Sequence, residues 1–168
     1  MLTGLPPLVS RQTRLLILGS FPGAASLAAR QYYGHPRNQF WPIIQAIWSP
    51  SPIDICASSY QIRSEWLLAQ GLGLWDVYAS CEREGSLDSS IRSPVLNDLA
   101  SLKERCPELT AIAHNGGESF KHAAHTRPLG LPVYRLPSTS PANASWRFER
   151  KLAAWREVFM QHGLIEWR

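Results

Sequence analysis

Four short apolar runs set the frame of this chain: residues 14–18 (RLLIL), 72–77 (LGLWDV), 109–114 (LTAIAH) and 132–136 (PVYRL). Each is nearly continuous rather than alternating, and a turn signal closes each one. That pattern suits strands covered on both faces, as in parallel sheets. Helical periodicities lie between them. Residues 38–48 put Phe40, Ile43, Ile44 and Ile47 on one face, and residues 60–70 do the same with Ile62, Trp66 and Leu67. Residues 94–105 open with Pro94, a favourable first-turn residue, and predict a third helix. A fourth is predicted over 117–125. The longest covers 144–162, with Phe148, Leu152, Trp155 and Phe159 on one face and Gly163 as its stop. Strands alternating with helices predict a three-layer α/β/α sandwich around a central, mostly parallel four-stranded sheet with right-handed crossovers.

With 168 residues and 45% hydrophobic content, the chain is expected to be a single globular domain over residues 1–168, able to bury its own core. No apolar run approaches the roughly 20 residues of a membrane span. The start, MLTGLPPLVSRQTR, lacks the layout of a secretory signal, so the cytoplasm is the expected compartment. Cys56, Cys81 and Cys106 are odd in number and widely spaced, which speaks against a disulfide framework or a metal knuckle. His114, His122 and His125 combine with no cysteine at zinc-like spacing. Neither metal nor cofactor is expected, nor is an obligate protein partner, and a monomer is the expected state. The net charge of +4 favours approach to a polyanion, and seven tryptophans suit bases as well as cores.

In an open α/β sheet, ligands sit beyond the carboxyl ends of the strands. The first such segment, Gly19-Ser20-Phe21-Pro22-Gly23, fails the phosphate-loop pattern because no Gly-Lys-Ser/Thr follows. It also lacks the Gly-x-Ser-x-Gly of a nucleophile elbow. Next comes QYYGHPRNQFW. The His35-Pro36 bond keeps His35 out of a helix, and Asn38 falls where a helix cap belongs. The Asn38 amide can cap a helix, orient a water or bond a base. Tyr33 suits either the core or a platform under a planar ligand. Asn115, in His-Asn-Gly-Gly, can read a base edge or serve as a turn residue. The last strand empties into Leu136-Pro137-Ser138-Thr139-Ser140-Pro141-Ala142-Asn143-Ala144-Ser145. Its hydroxyls can meet phosphates without charge, or cap a helix. Asp76 and the polar stretch 79–93 are weaker candidates, the latter read as a solvated loop.

Taken together, GSFPG…QYYGHPRNQFW and LPSTSPANA resemble the paired motifs of the uracil-DNA glycosylase superfamily. The nearest match is the hypoxanthine-DNA glycosylase branch, family 6. The resemblance covers essentially the whole chain, and the two motifs agree in order and spacing. One departure stands out: Ser20 occupies a position where most of the superfamily carries Asn or Asp. In the family 6 pattern the water-holding task falls to the asparagine of His-Pro-x-Asn, here Asn38. The resemblance implies a monofunctional DNA glycosylase of base-excision repair acting on DNA with deaminated bases. Asn38 and His35 would be catalytic, and Ser20, Phe21, Tyr33 and Asn115 would hold the base. Ser138, Thr139, Ser140, Pro141, Ala142, Asn143 and Ser145 would contact DNA. Lys103, Lys121 and Lys151 fall on predicted helices away from these loops, so no lysine for a lyase step is expected. Two other readings stay open: a non-catalytic nucleic-acid-binding member of the fold, and a serine hydrolase pairing Ser20 or Ser138 with His35.

Overall fold

The computed structural model describes residues 1–166. At its centre lies a parallel sheet of β2 (Leu15–Gly19), β3 (Leu72–Asp76), β6 (Ala111–Asn115) and β7 (Val133–Leu136), in the order β3-β2-β6-β7. The four strands expected from the apolar runs are these four. Every residue of β2, β3 and β6 is buried, which is why their sequences do not alternate.

One face of the sheet packs against α2 (Phe40–Ile47), α3 (Tyr60–Ala69) and α7 (Phe148–Gln161). Phe40, Ile43, Ile44, Leu67, Trp155 and Phe159 fill that core beside Leu15 and Ile17. The other face carries Leu16, Leu18 and Ile112. It is covered by short elements: α4 (Leu102–Arg105), α5 (Gly117–Phe120), α6 (Ala123–Thr126) and a small antiparallel sheet of β1 (Leu2–Thr3), β4 (Tyr78–Glu82) and β5 (Arg92–Leu96) in the order β1-β4-β5. Among the described residues no helix is long and apolar enough to cross a membrane.

This small sheet corrects two expectations. Residues 79–93 are not simply a loop, and the helix expected over 94–105 is a strand at its start. Two register shifts interrupt the β4–β5 ladder, at Tyr78/Ser80 and Ser80/Glu82. Bulges of this kind erase the period-two signal that would reveal a strand. Pro94 lies in β5, which pairs only with β4, and such an edge tolerates a residue without an N–H. Helix α1 (Ala24–Ala29) lies within the first motif, where the sequence pattern predicts no helix. The helix expected over 117–125 is divided into α5 and α6. The last helix starts at Phe148 rather than 144, because the segment before it is folded on its own hydroxyls. Its end is as expected: Gly163 takes a left-handed φ of 68°, and Leu164 N–H donates to Phe159 O at 3.0 Å.

Packing of α7 also anchors the last strand's exit. Trp155 is fully buried, and its Nε1–H donates to Pro137 O at 3.0 Å. Truncating so large a buried ring leaves a cavity and frees that carbonyl. Trp155→Ala should therefore cost about 3–5 kcal/mol of stability in urea unfolding, and Trp155→Phe distinctly less.

Candidate functional site

The four parallel strands end in register. Gly19 pairs with Asp76 across β2–β3, Leu18 with His114 across β2–β6, and Asn115 with Leu136 across β6–β7. The segments leaving these ends therefore meet above one row. They enclose a cavity of about 620 Å³. Twelve of the thirteen residues singled out from sequence line it: Ser20, Phe21, Tyr33, His35, Asn38, Asn115, Ser138, Thr139, Ser140, Pro141, Ala142 and Asn143. Ser145 does not; it is exposed beyond the cavity and its hydroxyl donates to Asn143 Oδ1 at 3.4 Å.

Asn38 takes part in a cap and still faces the cavity. Its Oδ1 accepts the Phe40 N–H at 2.9 Å, which satisfies one of the free amides at the start of α2. An amide oxygen has a second lone pair, and the Nδ2 group has two protons. His35 Nδ1 accepts the Arg37 N–H at 3.0 Å, so a neutral His35 carries its proton on Nε2. Tyr33 stacks on Phe40 with centroids 4.3 Å apart. Its backbone sits in the left-handed region at φ 56°, an unfavourable conformation for a residue with a Cβ. Burial, and next the charge of Asp76, push its phenol above the ordinary tyrosine range. The hydroxyl lies beside Asn115 without reaching hydrogen-bond geometry toward it.

Thr139 and Asn115 hold each other at two points. Thr139 N–H donates to Asn115 Oδ1 at 3.1 Å, and Asn115 Nδ2 donates to Thr139 Oγ1 at 3.0 Å. Thr139 is only 1% exposed, so its hydroxyl braces the loop instead of meeting a phosphate. Its carbonyl in turn accepts the Gln39 N–H at 2.9 Å. Close passage of the same loop explains Gly116: its φ is 97°, and a Cβ there would lie 3.0 Å from Ser138 Cβ. Ser138 Oγ accepts the Ser140 N–H at 3.1 Å, and Ser140 Oγ accepts the Ala142 N–H at 3.2 Å. Both hydroxyls act as acceptors within the loop, and each still carries a proton to donate. Ser20 Oγ donates to Asp88 Oδ1 at 2.7 Å. Neither Ser20 nor Ser138 makes a hydrogen bond to His35, so the pairing a serine hydrolase needs is not formed.

Lys151 corrects an expectation. Although it is on α7, it is buried beneath the first motif, and its Nζ donates to Gln39 Oε1 at 2.7 Å. The packing of α7 on α2 brings it there, and desolvation lowers its pKa. It does not line the cavity.

Several lining residues were given little weight in the sequence. Asp76, Ser86, Asp88, Arg135 and Trp146 all border the cavity. Arg83 holds the 83–89 loop against the first motif, donating through Nη2 to Pro22 O at 2.6 Å and through Nε to Gly85 O at 2.9 Å. Trp146 carries the Arg150 guanidinium 3.7 Å above its ring. Asp76 had the clearest signal, as the one charged residue in an otherwise apolar strand. No cluster of three or more His, Cys, Asp or Glu side chains suited to a metal occurs among the described residues.

Asp76 sits at the cavity floor, 4% exposed, with Oδ2 lacking a partner in the protein. Gly19 makes room for it, because a Cβ there would collide with Asp76 Oδ1. Burial, then repulsion from Asp88, push its carboxyl up to about 7, partly offset by Arg83. An acid whose folded pKa is raised keeps its proton in the native state while the unfolded chain loses it. Stability therefore falls as pH rises from about 4 to about 7 and levels off above. Asp76→Asn should remove that slope. Relative to the parent, the variant should gain on the order of a few kcal/mol between pH 4.5 and pH 8 in denaturant titrations.

The sequence model of the uracil DNA glycosylase superfamily matches residues 6–159. Two proteins named hypoxanthine DNA glycosylase are similar over 156 residues, 93% of this chain and 96% of each relative. The one from Methanosarcina barkeri is 37% identical and the one from Methanosarcina acetivorans 35%. A solution NMR structure of a candidate uracil DNA glycosylase from Methanosarcina acetivorans superposes with a TM-score of 0.84 at 34% identity, covering 95% of this chain and 97% of that one. Strand-end geometry, paired motif loops and these likenesses agree: the chain belongs to the uracil DNA glycosylase superfamily.

Proposed function

We propose that this protein is a monofunctional DNA glycosylase that hydrolyses the N-glycosidic bond of a flipped-out deaminated base, hypoxanthine first, and leaves an abasic site. Uracil and other deaminated bases are secondary candidates. The observation that carries this reading is the meeting of Asn38, Tyr33 and the 138–143 segment around one cavity large enough for a nucleobase. The names of the two relatives point to the same substrate.

The chemistry follows from the groups present. A base stacked in a duplex cannot be reached, so the nucleotide must leave the helix at a cost of a few kcal/mol. The hydroxyl protons of Ser138 and Ser140 suit flanking phosphates. Pro141 and Ala142, both exposed, form an apolar tip for the gap in the stack. The extruded base would lie on the face of Tyr33 that Phe40 leaves uncovered, with backbone amides near Phe21 toward its carbonyl edge.

Cleavage separates charge between an oxocarbenium-like sugar and the departing base anion. Fixed donors stabilise that charge as it develops. The Nδ2 protons and the free lone pair of Asn38 would hold a water against the electron-poor sugar carbon. Such a water needs positioning more than deprotonation. The Nε2–H of His35 is available to the departing base or to loop geometry. A neutral Asp76 would avoid setting a second anion against the phosphodiester; Asp76 ionises near pH 7, so the rate should decline on the alkaline side.

Labelled duplexes carrying hypoxanthine, uracil, xanthine or ethenoadenine, treated with alkali after incubation, test the proposal. Strand breaks at hypoxanthine are expected; tight binding without breaks would favour the non-catalytic reading. Asn38→Asp preserves an acceptor for the Phe40 amide, whereas Asn38→Ala also forfeits about 1 kcal/mol of capping. Both should fold, and both should lower the single-turnover rate by about 100-fold or more. Full activity in a folded Asn38→Ala protein would move the chemistry elsewhere.

A further inference from the structure

Four large hydrophobic side chains stand exposed among the described residues: Met1, Ile62, Leu87 and Val95. Of these, Leu87 alone lines the cavity, with 55% of its surface in solvent. A single exposed leucine on a loose surface loop would call for no explanation. Leu87 differs because both of its neighbours are tied to the first motif. Ser86 Oγ accepts the Ala24 N–H at 2.9 Å, and Asp88 Oδ1 accepts from Ser20 Oγ at 2.7 Å. Behind Leu87, its carbonyl accepts the Ser90 N–H at 3.1 Å. The backbone is thus pinned on both sides while the apolar side chain stays out in water at the cavity mouth.

Its position relative to the other apolar tip follows from strand order. The 83–89 loop joins β4 to β5 and is tied to the segment leaving β2, through Ser20, Pro22 and Ala24. The Pro141–Ala142 tip leaves β7, the edge strand that β6 separates from β2. A duplex delivering a nucleotide into the cavity therefore meets a rigid apolar group on either side. We propose that Leu87 is a second DNA wedge, packing against the base stack across the cavity from Pro141 and Ala142 and stabilising the gap left by the extruded nucleotide. Stacked bases offer the apolar surface that Leu87 lacks in the free protein, and wedges of this chemistry support unstacked steps. The inference rests on the glycosylase reading.

Its signature is a dependence on duplex structure. A group that only shapes the pocket affects paired and single-stranded substrates alike; a wedge matters only where a stack must be opened. Single-turnover rates for Leu87→Ala and Leu87→Met would be measured on deoxyinosine in a duplex and in a single strand. Leu87→Ala should lose about tenfold or more on the duplex, because a stacked step must be opened there. On the single strand it should stay within about twofold, and Leu87→Met should recover most of the duplex rate. An undiminished duplex rate, or equal losses on both substrates, would overturn the proposal. In parallel, 2-aminopurine beside the lesion reports unstacking without cleavage. A fluorescence rise with the parent protein that Leu87→Ala abolishes supports the wedge even if no base is excised, an outcome that would sink the glycosylase reading alone. No difference between the two proteins in that signal would sink the wedge.

Discussion

Thr139 joins three of the segments that line the cavity. Its N–H and hydroxyl are fixed by Asn115 at the end of β6, and its carbonyl receives the amide of Gln39 at the threshold of α2. Three hydrogen bonds from one buried residue set the distance between the two motif loops. Because the site is sheltered, each lost bond would strand a polar group away from water, which makes the arrangement costly to loosen. Asn38 is the residue immediately before Gln39, so the same tie decides where its amide lies. Beneath it, Lys151 holds the Gln39 side chain from the core side. The neutral polar character of the loop reflects this: its groups position one another.

Electrostatics in the cavity look at first unsuited to an anionic substrate. Asp76 and Asp88 both border it, and Arg135 is the one Arg or Lys among the lining residues. Burial and mutual repulsion ease the conflict by keeping a proton on Asp76 up to about neutral pH. Asp88 has a separate task, accepting from Ser20 and pinning the 83–89 loop to the first motif. Ser20 thereby acts as a structural fastener, consistent with an amide elsewhere taking over the handling of water. The cost of Asp76 to stability and the left-handed backbone at Tyr33 fall within the same small volume, as expected where local strain serves a site.

How much could be read in advance differs between the two halves of the fold. The parallel sheet was legible because burial on both faces forces continuous apolar runs, and RLLIL and LTAIAH carry that mark unambiguously. The helices behind it were legible because Phe40, Ile43, Ile44 and Ile47 repeat at helical spacing. Opposite them, β4 and β5 leave no such mark in the sequence. Their pairing is bulged, β5 is mostly exposed, and Pro94 mimics a helix start. The motif loops were visible through their glycines, prolines and amides. Asp76 and Leu87 were not singled out in the same way, since a charge ending a strand or a leucine in a polar loop has many ordinary explanations.

What the sequence determined by itself was local: strand and helix periodicities, turn chemistry, and two loops rich in neutral donors and acceptors. These depend on neighbours a few residues apart, so the chain records them directly. What only tertiary structure decided was convergence. Asn115 meets Thr139, Ser20 meets Asp88, and Lys151 reaches Gln39 across 24, 68 and 112 residues. Such pairings are selected by the register of the sheet and the packing of α7 on α2. A hydrogen bond between distant residues leaves no periodicity behind, because its geometry exists only after the core has closed.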